Sequence, residues 1–187
     1  MRIKRETLSN FAFIIVLALL LFTPLGFQAR VFVSRFFSFS PSELVEEEQQ
    51  LLSNYHWKLN DIDGNELSFE DNKRKVILVN FWATWCPPCV AEMPSLHELY
   101  LDYHDKIAFV FITSDEKEKV RKFINKKAYA FPIYFENSPT PKVFSSDNIP
   151  TTYIIDASGK IRVKMTGAAD WNSSATRKLL DALILKE

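Results

Sequence analysis

Val79-Asn-Phe-Trp-Ala-Thr-Trp-Cys-Pro-Pro-Cys89 is the stretch on which the reading of this chain turns. It continues the apolar run Val76-Ile-Leu-Val79 and leads into a helical pattern from Pro88 to about Asp102. The cysteines therefore sit where a buried strand hands over to a helix. The first backbone N–H groups of a helix have no intrahelical acceptor, so negative charge is stabilised there. Cys86 is placed to receive them. Pro87 and Pro88 fit the first turn because their missing N–H groups would be unpaired anyway. A thiolate rather than a thiol attacks a disulfide, and helix N-termini favour the thiolate. Cys86 is the expected nucleophile. Cys89, one turn further in, is expected to be more buried and to resolve the mixed disulfide.

These are the only two cysteines of the chain. A disulfide closing so small a loop removes little entropy from the unfolded state, about 2 kcal/mol by the chain-entropy relation. The pair is poorly placed as a staple and well placed as a reversible redox couple. The 187 residues leave room for one domain and an appendage, and 47% hydrophobic with 25% charged residues is the composition of a folded protein. Lys+Arg and Asp+Glu balance at 23 each, so no overall field gathers nucleic acid or acidic ligands.

Outward from the cysteines, Ile107-Ala-Phe-Val-Phe-Ile112 is a second continuous apolar run. With Val76–Val79 and the helix between, it predicts a right-handed βαβ unit buried on both faces. Trp57-Lys-Leu and Leu67-Ser-Phe69 flank a turn at Gly64 and predict a hairpin. Asp115 to Ala128 predicts a helix with Val120, Phe123 and Ile124 on its inner face, and its basic run reads as a wet helix side. Ile133–Phe135, Thr152–Ile155 and Ile161–Met165 predict strands, with a turn at Asp156–Gly159 and a break at Gly167. Ser173 or Ser174 is the expected cap of a last helix that buries Leu179, Leu180 and Leu183.

Before Tyr55 the pattern differs. Residues 1–10 carry Arg2, Lys4 and Arg5 and are expected in the cytoplasm. Residues 11–27 hold no charge, the short end of a bilayer span, and predict a single transmembrane signal-anchor. A removed signal peptide is the competing reading. A cut after Ala29 would put Phe27 at a position that favours small residues. Residues 28–54 predict a stalk, with a short helix opened by Ser40-Pro41-Ser42-Glu43 and carrying Leu44, Val45, Leu51 and Leu52. Residues 55–187 form the folded domain.

The motif Val79–Cys89, then Glu92-Met93-Pro94 and later Ile149-Pro150-Thr151, resembles the TlpA/ResA-like branch of the thioredoxin superfamily over about residues 55–187. The resemblance implies an α/β thioredoxin-like fold, a central mixed sheet flanked by helices, with an N-terminal hairpin and an inserted helical segment near Lys117–Phe144. It implies a protein-disulfide reductase without a cofactor, on the outer side of the cytoplasmic membrane, often serving cytochrome c maturation. Its partners would be disulfide-containing envelope proteins and a transmembrane thiol electron donor, and no nucleic acid.

Pro150 matches the family's cis-proline, and the resemblance implies that the backbone at Ile149 pairs with substrate. On the residues alone Pro150 reads more readily as a strand-opening proline. Trp85, Pro87 and Pro88 would line the substrate groove, although Trp85 fits a core position as well. Glu92 lies one turn after Cys89, and the resemblance places a glutamate there near the thiols, where it relays the proton of Cys89; an acid that merely complements the helix dipole is the simpler reading. Asn80 departs from thioredoxins proper, which often carry a buried Asp at the matching position. Asn cannot titrate, so any such role passes to Glu92. Pro94 matches a helix-kinking proline.

Other chemistries fit less well. A c-type haem site needs His after the second cysteine, where Val90 stands. Zinc would have to recruit His97 and His104 at spacings unlike the usual ones. A copper chaperone holding Cu(I) between Cys86 and Cys89 is the alternative of a different class, and no obvious third ligand follows Cys89. A peroxidase needs more than Thr84 ahead of its cysteine.

Overall fold

The computed structural model describes residues 5–144 and 148–185. Seven strands form one mixed sheet: β1 (Lys58–Asp61), β2 (Glu66–Ser68), β3 (Ile77–Phe81), β4 (Ala108–Ile112), β5 (Ile133–Glu136), β6 (Thr151–Ile155) and β7 (Ile161–Thr166), in the order β2-β1-β5-β4-β3-β6-β7. β3 pairs parallel with β4, and β4 parallel with β5. β6 runs antiparallel between β3 and β7. The parallel strands are joined by α3 (Pro87–Tyr103) and α4 (Lys117–Lys127), and α5 (Ser174–Ile184) closes the domain.

Alternation along β3 sorts its side chains between two apolar layers. Leu78 joins Met93, Leu96, Leu99, Trp171, Leu180 and others beneath the helices. Ile77 and Val79 face a second layer of Tyr55, Trp57, Phe69 and Phe144. Asn80 is in phase with Leu78, so the period of two sends it towards α3. That geometry decides where the only polar side chain of β3 ends up.

The hairpin turns at Gly64, whose φ of 97° is left-handed, as expected for the turn. Ser173 caps α5 by accepting from Thr176 N. On α4, Val120 is buried and Phe123 and Ile124 pack beside it, while Arg121 stays at the surface and binds Asp63 Oδ1 at 2.9 Å. α4 ends on Ala128 at φ 53°, a position that glycine adopts without a Cβ penalty. Ala128→Gly is expected to stabilise the oxidised protein by about 0.5–1 kcal/mol, read as a higher midpoint in urea.

Three expectations need correction. The helical insert expected near Lys117–Phe144 is shorter: it is α4, and the strand expected at Ile133–Phe135 follows as β5, inside the sheet beside β4. The 11–27 segment is not one helix. α1 (Arg5–Phe22) stops at Thr23, whose Oγ1 accepts from Gly26 N at 3.1 Å, and Pro24 opens α2 (Pro24–Phe36). Thr as N-cap and Pro at N1 are a helix start, and here they restart one. Among the described residues no single helix is long and apolar enough to cross a membrane, whereas α1 and α2 together are, as a pair bent by 77°.

The third correction concerns the short helix expected near residues 40–52, which is reduced to one 3₁₀ turn at Glu46–Glu48. The backbone there bonds instead along β7 and its flanks. Leu44 N donates to Arg162 O, Ile161 N to Gln50 O, Leu52 N to Gly159 O and Asp170 N to Phe39 O. Arg162 fastens the segment by pairing with Glu43 and, at 3.1 Å, with Asp156. Leu52 is buried in the second layer and Leu44 packs against it. A short isolated helix with few inward leucines is marginal, whereas an open strand edge offers backbone partners together with burial of Leu52, so the edge is covered. Gly159 permits this approach, since a Cβ there would meet Tyr55 Oη at 2.9 Å.

Candidate active site

Cys86 is the N-cap of α3 and Cys89 lies in its first turn, with Pro87 and Pro88 between. The two sulfurs are joined in a disulfide. Cys86 Sγ accepts from Cys89 N at 3.2 Å, so the cap expected of the nucleophile is formed by its sulfur. Pro87 and Pro88 bring no N–H, so Cys89 N is the one backbone donor on that sulfur among the described residues. Cys89 is fully buried and Cys86 is 4% exposed, in the expected order.

The Ile149–Pro150 peptide is cis, which decides against a plain strand-opening proline. Ile149 O lies 3.7 Å from Cys86 Sγ, so residues 63 positions apart in sequence share one surface. Trp85 is 64% exposed beside them. Its core reading fails, because the turn between β3 and α3 points it outward. Pro94 lies inside α3, and the helix continues through it to Tyr103.

The loop before Cys86 has a partner that the sequence did not reveal. Thr84 donates from both its backbone N and its Oγ1 to Asp115 Oδ2, each at 2.7 Å. Asp115 follows β4, and bonds to a carboxylate are among the stronger ones. Asp115→Ala is expected to lower stability by about 1–2 kcal/mol and to slow disulfide exchange, because Thr84 loses the one oxygen that accepts from both its backbone N and its Oγ1. Thermal unfolding alongside an insulin-reduction assay measures both.

Glu92 is buried within the apolar layer under the sheet. Asn80 Nδ2 donates to its Oε1 at 2.8 Å; Trp171 Nε1 at 2.9 Å and Ala169 N at 3.4 Å donate to its Oε2. Burial pushes its carboxyl up to about 8, and the bonds from Trp171, Asn80 and Ala169 hold it from rising further. A surface acid complementing the helix dipole would not sit here. Trp171 and Ala169 went unnoticed in the sequence, because nothing but a lone tryptophan beyond Gly167 marks them and contact comes only through the fold.

His97 Nε2 accepts from Ala130 N at 3.2 Å, and its ring packs against Tyr129 and Phe131. Among the described residues no three His, Cys, Asp or Glu side chains converge in a metal-ligating group.

Residues 55–164 match the model of the AhpC/TSA family. The chain is 36% identical over 129 residues to the thioredoxin-like protein YneN of Bacillus subtilis, a match covering 67% of this chain and 75% of that protein. It is 34% identical over 110 residues to the thiol-disulfide oxidoreductase ResA of Bacillus cereus, covering 57% of this chain and 64% of ResA, just under two thirds of that relative. A thiol:disulfide interchange protein of Chlorobium tepidum superposes with a TM-score of 0.56 at 22% identity, over 78% of this chain and 96% of the other, a likeness of fold.

Proposed function

This chain belongs to the AhpC/TSA family, with ResA thiol-disulfide oxidoreductases among its relatives, and from that premise we propose that it is a thiol–disulfide oxidoreductase that reduces disulfides of envelope proteins outside the cytoplasm. The observation that carries the reading is the Cys86–Cys89 disulfide at the start of α3 with Ile149 O and the cis-Pro150 against Cys86.

In the reduced enzyme Cys86 thiolate attacks one sulfur of the substrate disulfide. The substrate's other sulfur leaves as a thiolate, and a mixed disulfide forms. Where Glu92 is ionised, Cys89 passes its proton to that carboxylate, and the Cys89 thiolate attacks Cys86 Sγ. The second substrate thiolate leaves, two electrons have moved to the substrate, and the enzyme holds the Cys86–Cys89 disulfide. Ile149 offers backbone to an extended substrate segment, while Trp85, Pro87 and Pro88 form the rest of the groove. A transmembrane thiol donor returns the two electrons.

The membrane location rests on the apolar helices α1 and α2 and on the basic residues ahead of them. Cytochrome c assembly factors are the proposed substrates, by likeness to the ResA-like branch. Equilibrating the protein with defined ratios of reduced and oxidised dithiothreitol tests the direction. A reductant is expected near thioredoxin's potential of about −270 mV; a value close to the roughly −120 mV of a strong oxidant overturns the assignment.

A further inference from the structure

The hydrogen-bond inventory around Glu92 does not close for both of its protonation states. Oε2 meets two donors that cannot accept, Trp171 Nε1 and Ala169 N. Oε1 meets Asn80 Nδ2, which also donates to Thr152 Oγ1 at 2.7 Å. Asn80 Oδ1 is buried and has no hydrogen-bond partner among the described residues. For a carboxylate the arrangement is well matched: three donors face two charged oxygens.

For the neutral acid it is not. With two N–H groups on Oε2, the acid's hydrogen belongs on Oε1, where it would point at an –NH₂ group. Donor would face donor in a buried site, where an unmade bond carries the full desolvation penalty of the group. Exchanging the two ends of the Asn80 amide removes the conflict. Oδ1 then accepts from Glu92 O–H and from the Thr152 hydroxyl, which serves as donor or acceptor equally. The far end of the amide stays unpartnered either way: Oδ1 has no bond there now, and the Nδ2 hydrogens meet no acceptor among the described residues once the amide has turned.

We propose that Asn80 is a positioning residue whose side-chain amide turns over each time Glu92 gains or loses its proton, keeping the carboxyl hydrogen-bonded in both states. The inference rests on the reading of Glu92 as proton acceptor for Cys89, and it keeps the acid's own oxygens partnered while the unmet group stays at the far end of the Asn80 amide. The surroundings leave no rival. β3 presents Asn80, β6 presents Thr152, and the loop after β7 presents Ala169 N and Trp171 Nε1. On α3 itself, Ser95 Oγ is spent on Glu92 O and Ala169 O, and Cys89 is the neighbouring titratable group. No charged side chain bonds to Glu92 among the described residues.

The test is nuclear magnetic resonance on the full chain in detergent micelles, with ¹⁵N in the Asn side chains and ¹³C at Glu Cδ. The Asn80 amide signals are expected to move with pH at the same midpoint as Glu92 Cδ. In Glu92→Gln, the Gln oxygen takes the Trp171 and Ala169 donors and its –NH₂ faces Asn80. The Asn80 amide is then expected to hold its turned-over orientation at every pH, with its Nδ2 hydrogens away from residue 92. Asn80→Ser, which keeps a small polar group but no reversible amide, is expected to shift the midpoint of Cys89 alkylation upward by about one pH unit. Asn80 signals that stay flat while Glu92 titrates, or an Asn80 amide still donating to residue 92 in Glu92→Gln, overturn the proposal. An Asn80 response with an unchanged Cys89 profile in Glu92→Gln overturns the relay instead and leaves the amide coupling standing.

Discussion

Cys86→Ser is expected to reduce insulin disulfides at the uncatalysed rate, a complete loss of the enzyme's contribution. The hydroxyl of serine is neither acidic enough nor nucleophilic enough towards sulfur to replace a thiolate, and Cys89 cannot take over. Cys89 is fully buried behind the first turn of α3, whereas Cys86 borders the surface formed with Ile149 and the cis-proline. Access and nucleophilicity both enter the exchange rate, and the fold grants access to one sulfur. The fold itself is expected to survive the change, because a disulfide spanning three positions contributes only about 2 kcal/mol. Loss of rate with a cooperative unfolding transition retained is therefore the expected pair of results.

Glu92→Gln carries the second large effect, on stability rather than on rate. The carboxyl of Glu92 titrates near 4.5 in an unfolded chain and is pushed up to about 8 in the fold, chiefly by burial. Between those values the folded state keeps a proton that the unfolded state has released. The stability tied to that proton is fully present below pH 4.5 and is lost as the pH rises through 8, at about 1.4 kcal/mol per pH unit. The whole span has a ceiling of about 5 kcal/mol. Glutamine has no proton to lose, so the variant is expected to be the more stable protein at pH 9 and to differ little from the parent at pH 4.5. Urea unfolding of the oxidised forms at pH 4.5, 7 and 9 isolates the effect from the thiols. Parallel pH profiles for the two proteins would place Glu92 in a far more polar setting than the one described.

Most of this site was legible before the fold was known, because its parts are local. A strand running into Cys-Pro-Pro-Cys fixes where a helix begins, and the helix begins there. The hairpin at Gly64, the cap at Ser173 and the two-sided apolar runs of β3 and β4 are likewise short-range signals that the packing agrees with. What escaped the sequence is whatever depends on tertiary contact. Trp171 reaches Glu92 across 79 positions and Asp115 reaches Thr84 across 31, and no local pattern marks either pair. The edge of β7 drew residues 39–52 out of a helix, a competition settled by an unpaired strand rather than by helix propensity. The break at Thr23-Pro24 was readable as an N-cap followed by Pro at N1, but the apolar length of the segment outweighed it.

Asn80 was legible only by half. Its departure from a titrating residue was plain, and it left Glu92 as the candidate for any proton role. That the two side chains touch follows from strand alternation and one helical turn together, which place residues 80 and 92 on facing surfaces.

The order of attack at the cysteine pair is tested most directly by trapping. Cys89→Ser and Cys86→Ser, each purified in reduced form, are mixed with a peptide disulfide, quenched with acid and mapped by mass spectrometry. The account requires a stable mixed disulfide on Cys86 in the first variant and none on Cys89 in the second. Adducts on Cys89, or no adduct on Cys86, would contradict it.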